Sequence, residues 1–181
     1  MRLFAALKLN EEMEDALLDI QDIIYEHGVR GNFTKPENLH ITLAFIGEFD
    51  DPVVVKNVID AVELRPFDIS LGGIGSFRRL WWAGISGEDG ENKSGELIAA
   101  AKRLRRGLDA AEVPFDRKKF SPHITLIRAP SCSGGLEPEE VFADILRNVD
   151  TYFDKYGKPS MTVEHISLMR SDRGKHGMIY T

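Results

Sequence analysis

Apolar side chains recur in this chain with two periods, every second residue in some stretches and every third or fourth in others, and the periods alternate along its length. Residues 2–9 are almost continuously apolar, from Leu3 to Leu9 with only Lys8 interrupting, and read as a buried strand. Residues 11–26 change to helical spacing: Met13, Ala16, Leu17, Ile20, Ile23 and Ile24 fall on one side. Asn10 is placed to cap that helix, acids fill its first turn, and Gly28 and Gly31 end it. After the turn-like Lys35-Pro36-Glu37-Asn38, residues 39–46 form a strand stopped by Gly47. Pro52, behind Asp50-Asp51, opens a helix that reaches about residue 64. Residues 67–77 and 80–86 are two strands turning at Arg78-Arg79. Residues 87–95 are acidic, glycine-rich and free of apolar side chains, so they read as a surface loop. A helix to residue 111, a strand over 122–129, a loop over 131–135, a helix over 137–149 and strands over 161–170 and 178–180 complete the pattern. Strands and helices interleave, but the hairpin at 67–86 argues for an α+β fold rather than an all-parallel sheet.

Two of those strands begin with the same four residues, His40-Ile41-Thr42-Leu43 and His123-Ile124-Thr125-Leu126. With five His and six Thr in 181 residues, chance supplies roughly 0.2 His-x-Thr matches, so a repeated one is significant. The copies lie 83 residues apart, close to half the chain, and each has a helix before it and after it. That layout is what an ancient duplication would leave: one domain over residues 1–181 made of two pseudo-symmetric lobes. Alternation puts His and Thr on one face of each strand and Ile and Leu on the other. If the strands meet about a pseudo-two-fold axis, two imidazoles and two hydroxyls surround a volume that suits a tetrahedral phosphate diester. One imidazole can then accept a proton and the other donate one, while the hydroxyls bond the non-bridging oxygens. Nothing in that scheme requires a metal or a covalent nucleophile.

Composition narrows the field. The longest apolar runs are far too short to span a bilayer, and the acids at Glu11, Glu12 and Glu14 do not follow a signal-peptide layout, so a cytoplasmic protein is expected. The single cysteine, Cys132, excludes an internal disulfide and fits a reducing compartment. A formal charge of −6 argues against non-specific wrapping of nucleic acid, though it leaves room for a local basic pocket. Basic clusters at Arg78-Arg79, 102–106, 117–119 and 170–175 read as solvated surface.

The segments Arg2-Leu3-Phe4-Ala5-Ala6-Leu7, Pro36-Glu37-Asn38-Leu39-His40-Ile41-Thr42-Leu43-Ala44-Phe45-Ile46-Gly47 and Ser121-Pro122-His123-Ile124-Thr125-Leu126-Ile127-Arg128 resemble the two-histidine (2H) phosphoesterases. Within them the chain is most similar to the RNA 2′,3′-cyclic phosphodiesterases, also called 2′-5′ RNA ligases. The resemblance extends to Ile166-Ser167-Leu168-Met169-Arg170-Ser171 and Gly177-Met178-Ile179-Tyr180. It implies two lobes, each a mainly antiparallel sheet with helices packed outside, and an active-site cleft between them. It implies opening of a terminal 2′,3′-cyclic phosphate to a 2′-phosphomonoester, on RNA 3′ ends or small nucleoside cyclic phosphates. His40 would be the general acid, His123 the general base, and Thr42 and Thr125 would hold phosphoryl oxygens. Arg128 would add charge-assisted bonds to the phosphate, although strict alternation turns it away from His123 unless the strand twists or bulges there. Many relatives carry an Arg-Trp pair ahead of the Pro-Glu-Asn turn where this chain reads Arg30-Gly31-Asn32-Phe33, so Phe33 is expected either to stack on a terminal base or to take a core or lid role. No cofactor, metal, membrane or obligate protein partner is implied, and a monomer is expected. Substrates with 2′-5′ linkages or ADP-ribose cyclic phosphate, the ligase direction, and a non-catalytic RNA-end binding module remain as alternatives.

Other features carry little chemistry. His165-Ile166-Ser167-Leu168 imitates the motif with Ser for Thr, in what reads as a closing strand. Cys132 has no base near it in sequence, and Gly72-Gly73-Ile74-Gly75 opens no helix, so it reads as a kinked strand. Asp89 and Glu91 lack calcium-loop spacing, and His27 and His176 read as surface residues. Trp81 and Trp82 must point to opposite faces, one to the core and the other free to line a cleft.

Overall fold

The computed structural model describes residues 1–87 and 94–181. Its elements in chain order are β1 (Arg2–Lys8), α1 (Glu11–Glu26), β2 (Val29–Phe33), a 3₁₀ turn (Pro36–Asn38), β3 (His40–Glu48) and α2 (Pro52–Asp60). They continue with β4 (Phe67–Phe77), β5 (Leu80–Gly87), α3 (Gly95–Ala110), β6 (His123–Cys132), α4 (Pro138–Tyr156), β7 (Ser160–Val163), β8 (Ser167–Gly174) and β9 (Gly177–Tyr180). The strands form two sheets, ordered β3-β1-β8-β9 and β2-β6-β5-β4-β7, and every pairing is antiparallel. Among the described residues, four helices and two antiparallel sheets make the expected α+β architecture, with one motif strand in each sheet.

The helices form where capping and periodicity predict. Asn10 accepts a bond from the Met13 N–H at 3.0 Å, Asp51 accepts at the start of α2, and Ser94 accepts from the Leu97 N–H at 3.2 Å. One continuous core joins the inner faces of α1, α3 and α4 to both sheets, through side chains such as Leu17, Ile41, Leu43, Leu104, Leu126 and Val149. Burying such chains at about 1.5–3 kcal/mol each is what holds the lobes together. A smaller cluster, Phe4, Ala6 and Met169 with Phe45 and Tyr180, covers the opposite face of the four-stranded sheet.

Several expectations change, and among them α2 ends at Asp60 rather than near residue 64. The single strand expected over 161–170 is two strands in different sheets, because Glu164 and His165 are exposed and the chain crosses there from β7 to β8. His165 therefore sits in a connector. Val29–Phe33, where the glycines predict only the end of α1, is a strand pairing with β6. Strand β6 runs on to Cys132, through Ser131 in the expected loop, and α4 extends to Tyr156. The kink at Gly72-Gly73 is present as a register shift between Leu71 and Ile74. Asp89 and Glu91 lie outside the described residues. Among the described residues, no helix is long and apolar enough to cross a membrane.

Candidate active site

Strand β3 runs beside β1 with Lys8 opposite His40, Ala6 opposite Thr42 and Ala5 opposite Ala44, so one extra residue, Leu43, bulges from β3. Strand β6 repeats the arrangement beside β5: Gly84 is opposite His123, Trp82 opposite Thr125 and Trp81 opposite Ile127, leaving Leu126 as the extra residue. The bulge thus falls on the fourth residue of both motifs. Its effect is to invert the alternation beyond that point. Leu43 and Ala44 are both buried, as are Leu126 and Ile127, so the next residues, Phe45 and Arg128, return to the His/Thr face. Arg128 reaches that face by this bulge, and Ala129 immediately after it has φ +51°. Gly31 of β2 packs against this kink, where a Cβ would stand 2.9 Å from the carbonyl oxygens of both Arg128 and Ala129.

Both histidines are tethered in the same way. The Nδ1–H of His40 donates to the Asn38 carbonyl at 2.6 Å, and that of His123 donates to the Ser121 carbonyl at 2.7 Å. A carbonyl can only accept, so each tether places the proton on Nδ1 and leaves Nε2 for chemistry. His40 Nε2 meets the Thr42 hydroxyl at 2.9 Å. Thr125 is half-buried on the corresponding face of β6.

The surroundings of the two rings differ. His40 is held between Phe4, with ring centroids 5.0 Å apart, and Tyr180 at 5.2 Å in a T-shaped contact. Burial lowers its pKa from the ordinary imidazole value; the hydrogen bond to Asn38 opposes the shift, and the nearby charges of Arg128 and His123 add to it. Strands β3 and β6 thus bring His40, His123 and Arg128 within electrostatic reach of one another. The Asn38 side chain also donates to the Met178 carbonyl at 2.9 Å, tying the His40 turn to β9. His123 faces Phe77 at 5.8 Å and Trp82 at 6.4 Å. Phe77 is 48% exposed and lies 5.1 Å from Trp82, so the two rings form an open aromatic shelf beside His123. Gly75 makes room for it: a Cβ there would stand 2.2 Å from the Trp82 ring.

Trp81 is fully buried against Phe142. Phe33 is not brought to the cleft. It is half-buried, opposite the core residue Ile127, with Tyr25 at 6.4 Å. Sequence reading missed Phe77 and Tyr180, which only tertiary packing brings to the histidines. His27, tethered to the Ile23 carbonyl at 2.7 Å, caps the end of α1, and the exposed His165 and His176 lie in the connections from β7 to β8 and from β8 to β9. Cys132 ends β6 half-buried, and burial raises its thiol pKa, the acids Glu137, Glu139 and Glu140 adding to the shift. Among the described residues no group of three or more His, Cys, Asp and Glu could hold a metal ion.

A sequence model described as the 2′-5′ RNA ligase superfamily matches residues 16–175. The chain is 31% identical over 193 residues to the RNA 2′,3′-cyclic phosphodiesterase of Methanothermobacter thermautotrophicus, covering 100% of this chain and 95% of that one. It is 32% identical over 196 residues to the protein of the same name from Thermus thermophilus, covering 98% and 93%. Among solved structures, TT0787 of Thermus thermophilus gives a TM-score of 0.70 at 27% identity over 100% of this chain and 94% of that one. LigT of E. coli in its apo form gives 0.72 at 23% identity over 99% and 92%, a likeness of fold.

Proposed function

The chain belongs to the 2′-5′ RNA ligase superfamily, and from that premise we propose that it hydrolyses RNA terminal 2′,3′-cyclic phosphates to 2′-phosphomonoesters without a metal. The observation that carries this reading is the matched tethering of the two histidines, which frees one Nε2 on each motif strand, supported by the electrostatic reach of His123 and Arg128 to His40. Relatives at 31% and 32% identity bear the name of that activity.

In the proposed reaction the cyclic phosphate lies between the motifs, with Thr42, Thr125 and Arg128 on its non-bridging oxygens. Neutral His123 takes a proton from water, whose oxygen bonds to phosphorus. The bond from phosphorus to the 3′ oxygen breaks, and His40 protonates that oxygen. Each proton transfer is worth roughly 10²–10⁴ in rate, and the hydroxyls and Arg128 stabilise charge that grows on the phosphoryl oxygens. The lowered pKa of His40 bears directly on its role as acid. A bound phosphodiester brings a negative charge beside His40 and compensates Arg128, so substrate binding itself favours the protonated ring. This makes proton uptake part of binding.

The same lowered pKa would suit exchanged roles, with His40 as base. A nucleoside p-nitrophenyl phosphodiester separates the two, because its leaving group departs without a proton. The variant lacking the acid recovers on it, and the variant lacking the base does not. The two sheets are read as halves of one duplicated domain, acting as a cytoplasmic monomer without cofactor or protein partner.

The deciding experiment incubates purified protein with an oligonucleotide 2′,3′-cyclic phosphate in EDTA. Release of the 2′-phosphate isomer is expected. Loss of turnover in EDTA, or capture of the cyclic end with no product over hours, would contradict the proposal, the latter favouring a binding module. Turnover only of 2′-5′-linked dinucleotides or ADP-ribose cyclic phosphate would move the substrate and keep the site.

A further inference from the structure

The carbonyls of the two bulged motif residues are each met by a side chain of equivalent position. Gln21 lies ten residues beyond Glu11, where α1 begins, and Arg105 ten residues beyond Gly95, where α3 begins. Gln21 is 7% exposed, and its Nε2 donates both hydrogens, to the Leu126 carbonyl at 2.9 Å and the Thr34 carbonyl at 2.9 Å. Half-buried Arg105 donates through Nε to the Leu43 carbonyl at 3.1 Å and through Nη1 to the Lys118 carbonyl at 2.7 Å. Leu126 and Leu43 are the bulged residues of the two motifs. Thr34 precedes His40 by six residues, and Lys118 precedes His123 by five.

The connections therefore run crosswise. Gln21 ties the approach to the first motif onto the strand of the second, and Arg105 ties the approach to the second motif onto the strand of the first. Main-chain bonds follow the same crossing: the Thr34 N–H donates to the Leu126 carbonyl at 2.9 Å, and the Asp116 N–H to the Phe45 carbonyl at 2.8 Å. Arg105 is further held over the rings of Phe115 and Phe120, at 5.8 and 5.6 Å, in the approach to His123.

We propose that Gln21 and Arg105 are a matched pair of positioning residues that fix the separation of the two histidines and hold the bulges that turn the motif strands. Neither touches the cleft chemistry; each acts through main-chain carbonyls of the opposite motif. Two donors in a fixed span are needed at each site, which Gln and Arg supply and apolar residues of similar length do not. Removing either side chain takes away both of its carbonyl bonds and leaves only the main-chain bonds to hold the crossing, so the strand that carries His and Thr can shift.

The test uses Gln21→Met and Arg105→Met, which keep length and remove donors. With an oligonucleotide 2′,3′-cyclic phosphate, each is expected to lower kcat by roughly tenfold to a hundredfold, the loss that a displacement of about 1 Å produces. KM stays within about threefold, because the residues contacting substrate remain. This kinetic readout rests on the proposed reaction, but histidine NMR of the resting protein does not. In either Met variant the resonances of both His40 and His123 are expected to move, since each bridge spans both motifs. Val149→Ala, a buried truncation in α4, supplies the control that lowers stability and leaves kcat and both histidine signals in place. If Gln21→Met does not fold, the Arg105 site carries the test, and Arg105→Lys, which keeps a donor but not the fixed fork, should recover only part of the rate that Arg105→Met loses. The proposal is overturned if the Met variants keep kcat within about twofold of wild type, if only the nearer histidine moves, or if Val149→Ala costs as much. Wild-type protein without turnover would remove the proposed reaction and leave the spectral test standing.

Discussion

Strands β3 and β6 carry the same tetrapeptide, the same Nδ1 tether and the same bulge, yet they surround their histidines with different chemistry. On β3 the half-buried ring is held between Phe4 and Tyr180, and the residue five positions on is Phe45, which joins an apolar cluster. On β6 the ring faces an open shelf of Phe77 and Trp82, and the residue five positions on is Arg128. The same local geometry therefore sits in two different surroundings, and at His40 burial lowers the pKa from the ordinary imidazole value. A symmetric pair of imidazoles would have no reason to divide into acid and base. At His40, burial and the nearby charge of Arg128 both disfavour the protonated ring.

The largest break in the comparison comes from removing either ring. His40→Ala and His123→Ala are each expected to lower kcat/KM for a cyclic phosphate by about 10²–10⁴, with the double variant scarcely worse because the pair works as a unit. Steady-state rates of the three proteins check this, and near wild-type rates for both single variants would remove the scheme. The p-nitrophenyl substrate sharpens the same pair. It should restore most of the rate to His40→Ala and little to His123→Ala, and the reverse result would exchange their roles.

Arg128→Met tests the asymmetry itself. Loss of charge-assisted bonds worth about 1.5–3 kcal/mol should lower kcat/KM roughly tenfold to a hundredfold. It also removes one of the charges that disfavour imidazolium at His40, so the pKa of His40 should rise in the variant, read by NMR titration. A pKa that stays put would separate Arg128 from the His40 side of the cleft. The smallest effect is expected at the shelf. Phe77→Ala should raise KM about fivefold for a dinucleotide and leave kcat nearly unchanged, since stacking on one ring is worth about 1–3 kcal/mol per base.

The motif strands and the helices around them were legible because alternation and 3.6-residue spacing are local properties, and the caps at Asn10, Asp51 and Ser94 fell on residues of the expected type. Strand β2 was not, since Gly28 and Gly31 look like helix terminators. Gly31 is instead where β2 lies against the Arg128 kink, a contact no local pattern contains. The split of residues 161–170 between two sheets depends on partners far away in sequence. The placement of Arg128 had a signal that strict alternation concealed: Leu43-Ala44 and Leu126-Ile127 are paired apolar positions where the alternating pattern slips. Gln21 had one too, as a polar side chain on the apolar stripe of α1 beside Leu17 and Ile24. The repeated tetrapeptide was readable in the sequence, whereas the crosswise bonds between the two motif strands exist only in the folded chain.

Convergence of the two rings on a single phosphate can be measured without turnover, by titrating a nucleoside 2′-phosphate into the protein and following the His40 and His123 resonances together. Both signals should move along one saturation curve with one Kd, and His40 should take up a proton as the site fills. Two curves with different affinities, or a response from one histidine alone, would mean that the motifs do not share a phosphate.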